Sequence, residues 1–166
     1  DLSDLRCLAT VARDLVITSN EGLRSVEGLQ GLTEVGGSLR IVENGSLVNL
    51  DGLANLGRIG EDLEVRGNSA LTNLDGLRSL TTVRGILTIS QNLELENIDG
   101  LENLRTAWSL FIDRNPLLGD IDGLSNLNVS LMDLNISENP LLTDLDALSE
   151  VPALEGDLTV RGNDSL

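Results

Sequence analysis

One stretch decides the fold: Asp62-Leu63-Glu64-Val65-Arg66-Gly67-Asn68, whose close copies recur at a fixed interval along the chain. The segments Ser38 to Asn44 and Asp157 to Asn163 repeat its apolar–polar alternation and its final asparagine. The leucines at the second position are spaced by 24, 24, 24, 23, 24 and 24 residues, at Leu15, Leu39, Leu63, Leu87, Leu110, Leu134 and Leu158. So regular a repeat predicts a solenoid in which each period is one turn, or rung, of a coil.

Each rung has the pattern L-x-I-x-x-N-x-x-L-x-x-L-x-G-L-x-x-L-x-x-V. Its first part alternates with period two, as a strand does. Its later part places apolar residues at every third position, which favours tight 3₁₀-like turns or a three-sided coil over an α-helix. The sequence therefore predicts a parallel single-stranded β-solenoid with about seven 24-residue rungs. It forms one domain over residues 1–166, with partial rungs at 1–13 and 156–166.

Composition excludes several classes of function. The 166 residues include 11 Lys or Arg and 27 Asp or Glu, no His and one Cys, with a net charge of −16. That charge argues against a nucleic-acid partner. Without His, the chain cannot form a Ser-His-Asp triad, a Cys-His pair or a His-ligated zinc site. No apolar run approaches the roughly 18 residues of a membrane span.

One asparagine closes the strand segment in every rung. Its amide both donates and accepts hydrogen bonds, so stacked amides can satisfy buried backbone groups of the turns. We therefore expect a structural ladder made of Asn20, Asn44, Asn68, Asn92, Asn115, Asn139 and Asn163.

An acidic column follows from a recurrent Asp-Gly-Leu tripeptide, which stands at 51–53, 75–77, 99–101 and 122–124. Each aspartate either caps a short helical turn or, because carboxylates in a row repel each other, helps to hold calcium. The densest candidate calcium site comprises Asp120, Asp122, Asp144 and Asp146. Calcium is the one cofactor that the sequence suggests. Because these carboxylates belong to a column shared by all rungs, and neither His nor Tyr is present to assist, we predict no enzymatic activity.

The outward strand positions vary from rung to rung while the core positions do not. They form the candidate binding face, with Phe111 as its aromatic anchor. Its residues are Arg40, Glu64, Arg66, Thr88, Phe111, Asp113, Asn135 and Arg161. Trp108 occupies the position that Gly37 and Gly85 hold in other rungs, so it either packs locally or contributes to binding.

The repeat, best matched from Gly37 to Ile59 and from Gly85 to Leu104, resembles the receptor L-domain. This is the leucine-rich-repeat-like module of insulin and epidermal growth factor receptors and of bacterial and fungal surface proteins. The resemblance implies a right-handed β-helix or leucine-rich-repeat-like coil outside a cell. It does not imply hormone binding, because the motif residues are core residues and the rungs are more uniform than in those receptors.

Cys7 has two interpretations. From the residues alone it is either a small buried apolar residue or half of a disulfide whose partner precedes residue 1. Cys7 to Val11 resembles the first rung of receptor L-domains, in which a cysteine just upstream pairs with this one. The resemblance thus implies a cap disulfide and an oxidising compartment.

Taken together, these patterns predict a non-catalytic recognition or adhesion scaffold with a protein or glycan ligand, extracellular or on a cell surface. The alternative is a structural spacer or assembly module that associates end to end and is stabilised by calcium. Because the chain opens at Asp1 without a signal peptide and stops at Leu166 partway through a repeat, we expect a fragment of a longer protein.

Overall fold

The computed structural model describes residues 2–166 and consists of short strands joined by 3₁₀ turns. The strands are β1 (Thr10–Val11), β2 (Leu15–Thr18), β3 (Glu34–Val35), β4 (Leu39–Val42), β5 (Arg58–Ile59), β6 (Leu63–Arg66), β7 (Thr82–Val83), β8 (Ile86–Ser90), β9 (Ser109–Asp113), β10 (Leu134–Ser137) and β11 (Leu158–Arg161). The 3₁₀ turns are Ser3–Leu5, Asp51–Leu53, Asp75–Leu77, Asp99–Leu101, Asp122–Leu124 and Asp146–Leu148.

The strands form two parallel sheets. The long sheet has the order β2-β4-β6-β8-β9-β10-β11, and the short sheet has the order β1-β3-β5-β7. Neighbouring strands pair 24 residues apart, as in Leu39 with Leu63, except that Leu87 pairs with Leu110 after 23. The predicted parallel β-solenoid is confirmed. It has about six full turns rather than seven, because the prediction also counted the partial rungs at the two ends.

The core is one continuous column of Leu, Ile and Val. In a single rung, Leu50, Leu53, Leu56 and Ile59 are all fully buried, so the every-third-position spacing turns these side chains inward around the 3₁₀ turn. Burying each such side chain contributes on the order of 1.5–3 kcal/mol. Each rung supplies the same set, and this repetition holds the strand faces and turns in fixed register.

The residue before each ladder asparagine lies in the left-handed region of backbone conformation. Glycine holds that position in two rungs, at Gly67 and Gly162. The other five rungs place a side chain there, which costs roughly 1–2 kcal/mol each: Ser19, Glu43, Gln91, Arg114 and Glu138, with φ between 55° and 58°. These residues stand at the edge of the long sheet's outer face.

The coil departs from its own period in one rung. Thr82 bridges Thr106, a step of 24, whereas Ile86 pairs with Ser109, a step of 23. One residue is therefore missing between Thr106 and Ser109. The short sheet ends at β7 at this point and is followed by two isolated parallel bridges, Thr82 with Thr106 and Leu131 with Leu154.

Two further observations concern the sequence-based expectations. Cys7 is exposed and its thiol is free, so the buried interpretation is wrong, while the cap disulfide stays a prediction. The first 3₁₀ turn, Ser3–Leu5, has no buried residue, and Cys7 follows it closely, outside the packed column. Within residues 2–166, no helix has the length and apolar character that crossing a bilayer requires.

Candidate functional site

The ladder asparagines form one hydrogen-bonded column along the solenoid. Asn44 is typical: its Nδ2 donates to the backbone oxygens of Ile17 at 2.9 Å and Val42 at 3.1 Å. Its Oδ1 accepts from both the backbone nitrogen and Nδ2 of Asn20, each at 3.1 Å. Each amide thus joins its own rung to the preceding one. The ladder is a structural element rather than a site open to ligands.

The burial of the ladder asparagines supports their structural role. The five internal ladder residues have no exposed surface: Asn44, Asn68, Asn92, Asn115 and Asn139. Asn20 is exposed and Asn163 is half-buried, because each lies in a terminal rung and is covered on one side only. Polar groups buried this completely are stable only when they are hydrogen-bonded, as these are.

The acidic column caps its turns in a different way from the one expected. Asp51 is the first residue of its 3₁₀ turn, and its side chain makes no capping hydrogen bond. Instead, Asn49 Oδ1, two residues earlier, accepts from the Asp51 backbone nitrogen at 3.2 Å. Asp120 and Asp144 do the same for Asp122 and Asp146, at 3.2 Å and 3.1 Å. The expectation that the Asp-Gly-Leu aspartate itself caps the turn is wrong, because the turn begins at that residue rather than after it.

One carboxyl of this column, that of Asp99, has a shifted pKa. The pKa of Asp99 is raised by partial burial and, after that, by the charges of Asp120, Asp75, Asp122 and Glu102. Within residues 2–166, no group of three or more Asp, Glu, Cys or His side chains is placed to hold a metal ion. Calcium binding at Asp120, Asp122, Asp144 and Asp146 stays a prediction.

The candidate binding face lies on the outer side of the long sheet. Thr88, Phe111 and Asn135 occupy the same register position on β8, β9 and β10, so they are direct neighbours. Arg40 and Arg161 are exposed, and the other six predicted residues are half-buried. The outward positions two residues farther along each strand, those of Arg66 and Asp113, are more closed than the alternation predicts, since three of them are buried: Val42, Ser90 and Ser137.

Ion pairs cross the rungs along this face. Arg66 lies 3.1 Å from Glu64 and 3.5 Å from Glu43, and Arg40 lies 3.8 Å from Glu64. Farther along, Glu138 accepts from Arg114 at 2.8 Å and from Arg161 at 3.1 Å. Three of these partners, Glu43, Arg114 and Glu138, were not predicted from the sequence. All three are among the left-handed residues, and a non-glycine residue before the ladder asparagine is the sequence signal that could have identified them.

Asn135 carries an unpaired polar atom beside the aromatic anchor. Its Oδ1 is buried and has no hydrogen-bond partner, although the residue itself is only half-buried. Asn135 is the strand neighbour of Phe111, the one phenylalanine of the chain. An acceptor without a donor costs about 1–3 kcal/mol, which a ligand N–H or O–H can offset once the side chain rotates and exposes the oxygen. The centre of the face thus combines an apolar ring with a buried, unpaired acceptor.

Trp108 protrudes from the corner before β9, with 57% of its surface exposed. In three rungs, a carboxylate at the preceding corner crowds the equivalent position: a Cβ on Gly37, Gly85 or Gly156 would overlap Oδ1 of Asp14, Asp62 or Asp133, respectively. Ile86 stands one rung before Trp108 at the place of those aspartates, so no carboxylate occupies this corner. More than half of the Trp108 surface is left uncovered by its neighbours.

The face and the corner combine apolar rings, ion-paired guanidinium groups and amide or hydroxyl groups, which can hold a ligand by stacking and hydrogen bonding. No protein-family model matches this chain, and no curated protein matches it significantly.

Proposed function

We propose that this chain is a non-catalytic recognition or adhesion scaffold, extracellular or on a cell surface, which binds a protein or glycan partner. Binding takes place on the outer face of the long sheet. The core and the asparagine ladder hold that face rigid, and the rung-to-rung variation of its side chains gives it specificity.

One observation carries this proposal: the single phenylalanine projects from the middle of the outer face, next to the unpaired Asn135 oxygen. The buried core of residues 2–166 is built from aliphatic side chains. Phe111 therefore stands where it cannot help that core, and aromatic residues at the centre of a patch are typical binding anchors. The ion pairs on the same face hold Arg66 and Arg114 in place, which reduces the entropy lost on binding.

The charged residues at left-handed positions give independent support. Gly67 and Gly162 show that glycine fits this position, yet Glu43, Arg114 and Glu138 occupy it in other rungs at a conformational cost. Each of these three forms an ion pair at the edge of the face. Strain of this kind is commonly retained at functional sites.

The experiment compares the wild-type chain with a triple variant, Arg40→Ala, Arg66→Ala and Phe111→Ala. Both are presented to a glycan array and to cell-surface protein extracts of the source organism, and the captured partner is then titrated by calorimetry. We expect the triple variant to bind at least 10-fold more weakly, as the loss of hot-spot residues does.

The matched control removes two arginines and one exposed apolar residue outside the face: Arg78→Ala, Arg105→Ala and Val48→Ala. This control should bind like the wild type. Circular dichroism checks that all three proteins are folded. If the face variant and the control bind equally, the outer strand face is not the binding surface, and if neither the wild type nor the control binds any partner, the spacer or assembly module is favoured.

A further inference from the structure

The shortened rung leaves a recess at one corner of the solenoid. Its volume is about 430 Å³, within the roughly 300–1,000 Å³ range of small-molecule sites. Residues from three consecutive rungs line it, namely Thr82 to Arg84, Thr106 to Trp108, and Val129 with Ser130. The middle segment is the one that lacks a residue, so the recess lies directly over the defect.

The lining combines a flat apolar surface with hydroxyl groups. The exposed indole of Trp108 forms one wall, and Val129 adds aliphatic surface. Hydroxyls come from Thr82, Thr106 and Ser130. Thr106 Oγ1 is buried against the recess and lacks a hydrogen-bond partner, so rotation of this side chain toward a ligand would satisfy it.

Arg84 adds a guanidinium group, with several N–H donors, at the edge of the recess. It is exposed, and no carboxylate of the described residues lies within ion-pair distance of its guanidinium group. Its N–H groups are therefore open to oxygen acceptors.

We propose that this recess is a carbohydrate site that binds one pyranose residue of a glycan. The apolar face of the sugar ring stacks on Trp108, and its hydroxyls bond to Thr106, Ser130 and Arg84. The site is separate from the outer strand face around Phe111, so it does not depend on the function proposed above.

A peptide strand fits the recess less well. Strand addition requires free backbone groups, but the Trp108 nitrogen donates to Gly85 and its oxygen accepts from Met132. Thr106 is likewise bridged to Thr82. With the backbone occupied, recognition depends on side-chain hydroxyls and an aromatic face, which match the two surfaces of a pyranose ring.

The chain carries its own probe for this site, because Trp108 is its only tryptophan and it has no tyrosine. The intact protein is screened on an array of neutral hexose, N-acetylhexosamine and uronate oligosaccharides, and soluble forms of the glycans that bind are then titrated. We expect a saturable change in tryptophan emission and reduced quenching by acrylamide. Trp108→Ala, measured by calorimetry, should weaken binding at least 10-fold, while Trp108→Phe should retain part of it.

Two controls separate this site from the strand face. Val48→Ala removes an exposed apolar side chain elsewhere and should leave sugar binding unchanged, while Phe111→Ala, which removes the strand-face anchor, shows whether a glycan is held at that face instead. The inference is overturned if the folded protein binds no glycan on the array or if Trp108→Ala binds like the wild type. It is also overturned if Phe111→Ala alone abolishes binding, a result that would instead support the strand face.

Discussion

The corner before each strand of the long sheet shows how one side chain sets its neighbour's size. Asp62 Oδ1 accepts from the Ile86 backbone nitrogen at 2.9 Å and fills the space beside Gly85. Where serine stands in place of this aspartate, the next rung has a large residue in place of the glycine: Glu61 lies one rung after Ser38, and Met132 lies one rung after Ser109. An aspartate in one rung thus goes with a glycine in the next rung, and a serine goes with a bulky residue.

This coupling predicts a non-additive pair of substitutions. Gly85→Ala should destabilise the fold by about 1–3 kcal/mol, because its Cβ overlaps the Asp62 carboxylate. Combined with Asp62→Ser, the same change should cost clearly less than the sum of the two single changes. Chemical unfolding of the four proteins measures this coupling. Strict additivity would show that the overlap has no energetic consequence.

The ladder supports a second residue-scale prediction. Asn68→Ala should lower the free energy of unfolding by about 1–3 kcal/mol, because it leaves buried groups such as the Ile41 oxygen and the Asn44 nitrogen without partners. Asn55→Ala is the matched control. Asn55 Nδ2 also bonds to the previous rung, at 2.7 Å from the Gln30 oxygen, but the bond is exposed. An equal loss in both variants would contradict the importance of burial.

At the scale of the element, the 3₁₀ turns stack so closely that their acidic residues interact. A Cβ on Gly76 would overlap the Leu50 oxygen of the preceding rung, so the glycine of each Asp-Gly-Leu allows the turns to approach. That approach also brings Asp75, Asp99 and Asp122 into one column, where the pKa of Asp99 is raised. The glycine, which the sequence pattern left unexplained, is the residue that sets the spacing of the charges.

The raised pKa predicts how stability changes with pH when Asp99 is replaced. A raised folded-state pKa means that the proton stabilises the fold fully below the unfolded pKa, and that this stability is lost as pH rises through the folded value. Asp99→Asn should therefore stabilise the protein at pH 7, by roughly 0.2–0.5 kcal/mol as for a like-charge surface pair. The gain should vanish near about pH 3, where the wild-type carboxyl is protonated. Thermal melts at both values measure it, with the isolated exposed Glu150→Gln as control; a gain that persists at the lower pH would contradict the electrostatic cause.

Strand and turn positions were predictable because each period repeats the same apolar pattern, and the ladder asparagines were predictable for the same reason. Residues whose role depends on contacts across rungs were not. Glu43 and Glu138 were missed because their backbone conformation is not visible in composition. The closure of Val42 and Ser90 was missed because alternation alone places both outward. The recess escaped notice because one missing residue changes the spacing only from 24 to 23.

At the scale of the whole molecule, each rung contacts chiefly its immediate neighbours, as the order of both sheets shows. Stability in such a coil is approximately a sum of rung terms and interface terms. The described chain has no second core, since all of its buried apolar residues except Val42 form one cluster.

This additivity predicts that the solenoid accepts a whole extra turn. A copy of residues 50–73 inserted after residue 73 preserves the phase of every column, because strands pair 24 residues apart. The product should fold, and the slope of its unfolding free energy against denaturant should rise by roughly one seventh, in proportion to the added surface. A copy of residues 50–61 inserted at the same place shifts every later rung by half a turn and should unfold at lower denaturant. Equal behaviour of the two insertions would refute the stacking register.

The direction of the asparagine hydrogen bonds has a mechanical consequence. They run from rung to rung, alongside the backbone ladders of the two sheets, so tension between the two ends loads successive interfaces in series. Such a chain should unfold one rung after another rather than all at once. In a single-molecule pulling trace this gives evenly spaced force peaks, each releasing the contour length of one rung.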